Sequence, residues 1–409
     1  MRLSVASNFD DKLITEIKDY PVSELYGKLT SDIVGGGRSS YMIDPIGKKR
    51  VEEHVAFAAK HGIGFNYLLN AACLDNIETT RSFQKQIRKL LDWICEMGVR
   101  STTVSNPLLL RLIKKKYPEL QARVSVFACV DHLQKAMYWQ DLGADVICLD
   151  SLTVNREFES LKSLRSKLSC DLQLLANNNC LQSCSIAHTH MCLLAHSSQS
   201  GHKNKGFVID HCILECTKMK MQDPVNFIRS DWIRPEDLHY YEEIGIDNFK
   251  LVERNLPTEL MVQRVKAYSE RSFDGNFIEL IQPYGHQKKE GESKKMSGKF
   301  WRTFSFLFHP FKVNPIKLLP LQKLSEKKGM LRSLEGPAPI VIDNKKLDGF
   351  LTRFLKNSCR NISCEECQYC HQFAEKAITI NKEYQNECLD LHKTIDKNLE
   401  TGGFWNYTS

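Results

Sequence analysis

No apolar run in this sequence approaches the ~18 residues that a membrane span requires, so no membrane partner is expected. The N-terminal stretch MRLSVASNFDDK has no basic segment leading into a long apolar core, so no signal peptide is visible and the cytoplasm is the expected compartment. Walker-type loops, HExxH helices, GxSxG elbows and GxGxxG turns are all missing, and no recognisable protease nucleophile stands out. No internal repeat is evident. Prolines are few, at 13, and an apolar content of 42% beside a charged content of 26% belongs to an ordinary folded protein.

What the chain has in quantity is cysteine: fifteen, with no secretory signal beside them. Thiols in a reducing compartment point to metal ligation rather than disulfides, so their clustering is the informative quantity. The length of 409 residues exceeds what one hydrophobic core usually supports, which predicts a barrel-sized domain and a smaller one. The net charge of +7 is modest, and much of the lysine excess sits in GHQKKEGESKKMSGK (Gly285 to Lys299). Such a stretch reads as a solvated loop or linker, with RNA contact as the alternative.

Along the first ~250 residues, short β-rich runs alternate with helical patterns, the signature of βα units and a parallel sheet. Eight strands are predicted: 3–7, 22–27, 64–70, 100–105, 122–127, 144–150, 171–177 and 248–253. In RSFQKQIRKLLDWICEMG, Ile87, Leu90, Leu91 and Ile94 recur at helical spacing, and Gly98 follows as a C-cap. The expected fold is α/β, a (β/α)8 TIM-type barrel. Such barrels keep their chemistry at the C-terminal strand ends. Those ends are polar here: Asn8, Tyr26, Lys28, Asn70, Ser105, Asn106, Asp150, Ser151, Asn177 to Cys180, Lys250, Glu253 and Arg254. The predicted division is a barrel over 1–283 with a cysteine-bearing insertion at 177–220, a Lys-rich and aromatic linker over 284–336, and a cysteine-rich C-terminal domain over 337–409.

Two cysteine constellations carry the chemistry. In the insertion, Cys180-x3-Cys184 and Cys212-x3-Cys216 supply four thiolates, with Cys192 between the pairs; this suits a [4Fe-4S] cluster or a tetrahedral zinc. His188, His190 and His196 could be ligands or could hydrogen-bond a cluster or face a substrate. In the tail, Cys359-x4-Cys364-x2-Cys367-x2-Cys370 packs four thiolates into a ferredoxin-like or zinc-knuckle loop, with iron–sulfur preferred and zinc the alternative. Its expected role is a staple or an electron relay. A shorter motif, GGGR (Gly35 to Arg38), brings a guanidinium fork to a flexible loop, suited to a carboxylate or phosphate.

The strand order, the cysteine insertion and above all IRSDWIRPEDLHYYEEIGIDNFKLVER resemble the collagenase-like peptidases of family U32 over Leu3 to Ile281. Arg234 to Leu238 matches that family's helix start, and Lys250 to Arg254 matches its last barrel strand. Glu253 stands where the family has glycine, and Thr217 where it has arginine. The resemblance implies Cys180, Cys184, Cys212 and Cys216 as cluster ligands. It also implies either a peptidase or an iron–sulfur protein of oxygen-independent hydroxylation acting on an organic, peptide or RNA substrate. The site expected from these readings takes His190, Lys250 and Glu253 as catalytic residues. Tyr26, Lys28, Arg38, Asn70, Asn177 and Arg254 are expected to bind a polar or anionic small molecule, or a peptide. A non-catalytic electron carrier or scaffold with a redox or protein partner is the third expectation.

Overall fold

The computed structural model describes residues 1–40, 43–203, 205, 208–254, 256–287, 313–331 and 333–405. Of the Lys-rich and aromatic stretch predicted as a linker, residues 288–312 and 332 lie outside the described residues, and Pro315–Lys327 is a helix. All eight predicted strands are present: β1 (Arg2–Ala6), β2 (Val22–Gly27), β3 (Gly64–Leu69), β4 (Ser101–Val104), β5 (Gln121–Val124), β6 (Val146–Cys148), β7 (Asp171–Leu175) and β8 (Asn248–Leu251). Each pairs in parallel with the next, and β1 closes on β8 with Ser4 opposite Lys250, so the sheet is a closed eight-stranded barrel. Helices alternate with the strands, as in a (β/α)8 fold.

Several strands stop short of their predicted ends because polar residues turn the chain there. At β5 the Ser125 hydroxyl accepts the Phe127 amide at 3.2 Å and starts a one-turn 3-10 helix. Inside the barrel, alternation places polar side chains on the axis. Arg123 pairs with Glu24 at 2.8 Å, Ser4 donates to Glu24 at 2.6 Å, and Gln173 donates to Asn248 at 2.8 Å. Each of these buried groups thereby has a partner, which the low dielectric requires. The helix Arg81–Glu96 begins on the Thr80 hydroxyl, buries Ile87, Leu90, Leu91 and Ile94, and is followed by Met97 and then Gly98 at a φ of 84°.

Between β7 and β8 the chain leaves the barrel to form the helices Ala187–Ser198, His211–Gln222 and Val225–Arg229. The tail forms a two-stranded antiparallel sheet, β9 (Ile340–Ile342) with β10 (Ile378–Ile380), and the long helix Lys382–Glu400. The segment Phe350–Leu355 is a 3-10 helix that buries Phe350, Leu351 and Phe354. Tail and barrel share one apolar core, which runs from Leu3 through Trp232 to Phe350 and Ile395.

Arg156 fastens the two. Its guanidinium donates to the carbonyls of Ile228, Arg229, Ser230 and Trp232, and lies 4.4 Å from the Trp232 ring and 4.9 Å from that of Phe350. A buried cation on carbonyls and rings replaces its lost hydration in both ways. No helix among the described residues is long and apolar enough to cross a membrane.

Arg156→Met is expected to lower unfolding free energy by about 3 kcal/mol, because the carbonyls lose a charged donor; denaturant unfolding measures this. His392 supplies a pH test. Burial, followed by the neighbouring Lys328 ammonium 3.1 Å away, pushes its imidazole down to about 3. Between pH 6.5 and 3 the unfolded chain therefore binds the proton more tightly, so stability falls on acidification through that window. In His392→Gln the acid limb of the stability profile should flatten.

Candidate active site and cysteine centre

The barrel mouth is closed on one side by the loop carrying Gly35 to Arg38, and one carboxylate shapes that loop. Asp32 accepts the Val34 and Gly35 amides at 3.0 and 2.8 Å and the Tyr67 hydroxyl at 3.0 Å. It also pairs with the Lys28 ammonium at 2.9 Å. Lys28, expected to bind substrate, is buried here and committed to Asp32 and the Gly35 carbonyl. The glycines are needed for close approach: a Cβ on Gly37 would lie 2.9 Å from Phe127 Cζ, and one on Gly36 3.0 Å from Asn70 Oδ1.

Six of the expected site residues, Tyr26, Arg38, Asn70, Lys250, Glu253 and Arg254, lie at the mouth. Tyr26 donates to the Leu251 carbonyl at 2.9 Å, and the Lys250 ammonium lies 4.1 Å from its ring centroid. Burial pushes the Lys250 ammonium down from its ordinary value, with Cys148 and Glu24 opposing. Arg38 and Glu253 form a two-pronged ion pair, one prong at 2.6 Å. Glutamate at this position, where the resembled family has glycine, thus anchors the loop arginine. Arg254 is buried, and its Nη1 has no hydrogen-bond partner among the described residues; nor has Asn70 Oδ1. Asn177 does not share this freedom. It bonds Val252 on both sides and the Leu280 carbonyl at 2.9 Å, tying β7 to β8.

The cysteine insertion abuts this mouth. Arg38 lies in the fields of Arg254, Tyr26, Cys180 and Asp210. Cys180 interacts with Cys216, Cys212 with Cys184 and Cys216, and Cys216 with Cys184, so the four thiols form one connected set. Burial, then Asp231, pushes the Cys180 thiol up to about 12; burial, then Asp210, does the same to Cys212. Loading a metal group would expel those protons. Lys220 is the internal countercharge. It is buried, donates to Asn179 Oδ1 at 2.8 Å, and is surrounded by Cys216, Cys180, Asp231 and Cys184.

Sequence reasoning missed Lys220 and Asp231. A signal for the lysine existed: Cys212, Cys216 and Lys220 recur every four residues along one helix face. Asp231 had none, since it reaches Cys180 from 51 residues away; it accepts the Cys180 amide at 2.9 Å, the Asn178 amide at 2.9 Å and the Ser151 hydroxyl at 2.5 Å. His190 is drawn to the cysteine side, where it bonds Asp210 at 2.9 Å. Thr217 bonds the Ile213 carbonyl of its own helix at 2.7 Å. In the tail, Cys359 interacts with Cys367 and Cys370, and Cys370 with Cys364, beside Arg156.

A second polar group was also missed. Ser7 Oγ lies 2.8 Å from His54 Nε2, and His54 Nδ1 lies 2.7 Å from Asp11. Ser7 and His54 are buried between β1 and the outer helices. Burial pushes the His54 imidazole down, while Arg50 and His54 outweigh burial at Asp11 and hold its carboxyl low.

Comparison with known proteins follows the same line. The model of peptidase family U32 matches residues 43–305, well over half of the chain. The chain belongs to peptidase family U32. A curated relative, an uncharacterized protease of Methanocaldococcus jannaschii, is 26% identical to this U32 protein over 85% of this chain and 87% of its own. The solved U32 peptidase Mk0906 is similar over 62% of this chain and 92% of its own, at 21% identity and a TM-score of 0.47. A D-psicose 3-epimerase from Clostridium cellulolyticum is similar over 60% of this chain and all of its own, at 8% identity and a TM-score of 0.33.

Asp32→Asn in this U32 protein removes the charge that offsets buried Lys28. It is expected to cost about 3–5 kcal/mol, read by denaturant unfolding.

Proposed function

We propose that this U32 protein is an iron–sulfur enzyme that modifies a polar or anionic organic substrate at the barrel mouth, by oxygen-independent hydroxylation or a related reaction. One observation carries the reading: Arg38 spans from Glu253 at the mouth to the neighbourhood of Cys180 and Asp210. The thiols and the polar residues of the mouth are therefore neighbours.

Four thiols linked through Cys216 and Cys184 fit a [4Fe-4S] group. Among the described residues, no three of their sulfurs lie within 4.8 Å of one another, a looser spacing than ligands of one zinc ion adopt. Cys180, Cys184, Cys212 and Cys216 would hold the group, which supplies one-electron transfer when bound. Lys220 offsets thiolate charge, and Asp231 holds the Cys180 backbone. Lys250 and Arg254 have donors free to clamp a carboxylate or phosphate, and Tyr26 orients Lys250 through its ring face. Glu253 keeps Arg38 at the boundary, and His190 with Asp210 can move a proton on the cysteine side. The tail thiols Cys359, Cys364, Cys367 and Cys370 suit a second cluster or a structural zinc.

Peptide hydrolysis is the second reading, favoured by the Ser7–His54–Asp11 geometry as well as the family name. Its weakness is access, because Ser7 and His54 are both buried and act as a clip between β1 and two helices.

Anaerobic purification should give iron and acid-labile sulfide in equal amounts with a visible charge-transfer spectrum. Changing Cys180 and Cys216 to Ser should remove about four irons per chain. Zinc without iron after anaerobic reconstitution would sink the proposal. Peptide cleavage that survives loss of the cluster and disappears in Ser7→Ala would establish the second reading.

A further inference from the structure

Outside the mouth, one group of metal-ligating side chains has no part in the reading above. Asp75, His196 and His202 bring ligand atoms within 4.8 Å of one another. Asp75 comes from the loop after β3, His196 from the last turn of Ala187–Ser198, and His202 from the turn beyond it. The imidazoles stack with centroids 4.4 Å apart and planes 11° apart, and His202 Nε2 lies 3.7 Å from Asp75 Oδ2.

His196 Nε2 is buried and has no hydrogen-bond partner among the described residues. A buried ring nitrogen without a partner leaves its desolvation uncompensated. The backbone holds Asp75 toward the histidines: Asp75 and Asn76 both take left-handed φ values of 56° and 58°. Gln199 ties the same loop to the insertion by donating to the Cys73 carbonyl at 2.7 Å.

We propose that Asp75, His196 and His202 hold a divalent first-row transition ion, with zinc the type case, and that this ion clips the β7–β8 insertion to the β3 loop. Two imidazoles and one carboxylate suit zinc and its neighbours, whereas magnesium and calcium take oxygen donors. Ligands at about 2.0–2.2 Å from one zinc stand roughly 3.3 Å apart, so a small rotation of the side chains closes the site. Asp75 is 60% exposed, which gives the ion a route from solvent and leaves water as the fourth ligand. The clip matters for the mouth because Gly35 packs against the Ala195 carbonyl and Ser198 of the helix that carries His196. An ion at His196 therefore fixes the wall against which the Gly35–Gly37 loop rests.

The test uses the full chain, purified anaerobically, freed of loosely held metal by a mild chelator and titrated with zinc. Calorimetry, metal analysis and the thermal midpoint are read together, with iron and sulfide measured on the same samples. Against wild type, the double variant His196→Gln/His202→Gln should bind one zinc fewer per chain and lose the zinc-dependent rise in Tm. Asp75→Asn, at an exposed position that does not threaten folding, should weaken zinc binding about tenfold or more. Iron and sulfide should be the same in all three proteins. Equal zinc stoichiometry and affinity in wild type and Asp75→Asn would overturn the clip. Because iron is measured independently, a histidine-dependent zinc in a chain without iron supports the clip while defeating the iron–sulfur reading.

Discussion

Asp32 is the carboxylate on which the mouth depends. It neutralises Lys28 where water is excluded, holds the Val34 and Gly35 amides, and receives Tyr67 from β3. Its own carbonyl accepts the Ser200 amide at 2.7 Å, so the cysteine-bearing insertion is keyed to the same residue. One buried charge pair thus sets the β2 loop, its contact with β3 and the seat of the insertion. A buried ion pair is weak as a source of stability but strong as a constraint, since neither partner can leave without stranding the other. Arg38 inherits its place from that loop and passes it to Glu253.

Charge is arranged differently on the two sides of Arg38. At the mouth, Lys250 and Arg254 are cations with donor capacity left over, held by burial and by the aromatic face of Tyr26. On the insertion side, buried Lys220 lies in the field of Cys216, Cys180, Asp231 and Cys184. On both sides a buried cation favours negative charge beside it. The tail closes the back of the insertion, with Gln385 donating to the Met221 carbonyl at 2.6 Å and Lys218 pairing with Asp396 at 3.1 Å. Arg156 joins tail and barrel at the base of the second cysteine set.

Much of this was legible in local pattern. The eight strands could be read because β-rich runs alternate with helical spacing, the insertion after the seventh strand aside, and the cysteine pairs because ligand spacing is a local property. Lys28 and Asn177 show where such reading stops. Both sit at polar strand ends and both look available, yet one is consumed by Asp32 and the other by Val252 and Leu280. A polar side chain is free or committed according to what packs against it, and those neighbours come from distant parts of the chain. The same holds for Ser7, Asp11 and His54, which share no motif and meet only through the packing of β1 against two helices.

The sequence by itself determined the barrel, the family, the insertion after the seventh strand and the two sets of four thiols, because periodicity and ligand spacing act over a few residues. Only the tertiary structure decided which of the mouth cations keep free donors, that Lys220 and Asp231 attend the cysteines, and that Asp75 meets His196 and His202. Those are matters of desolvation and charge pairing between residues far apart in the chain, and they are set once the barrel closes.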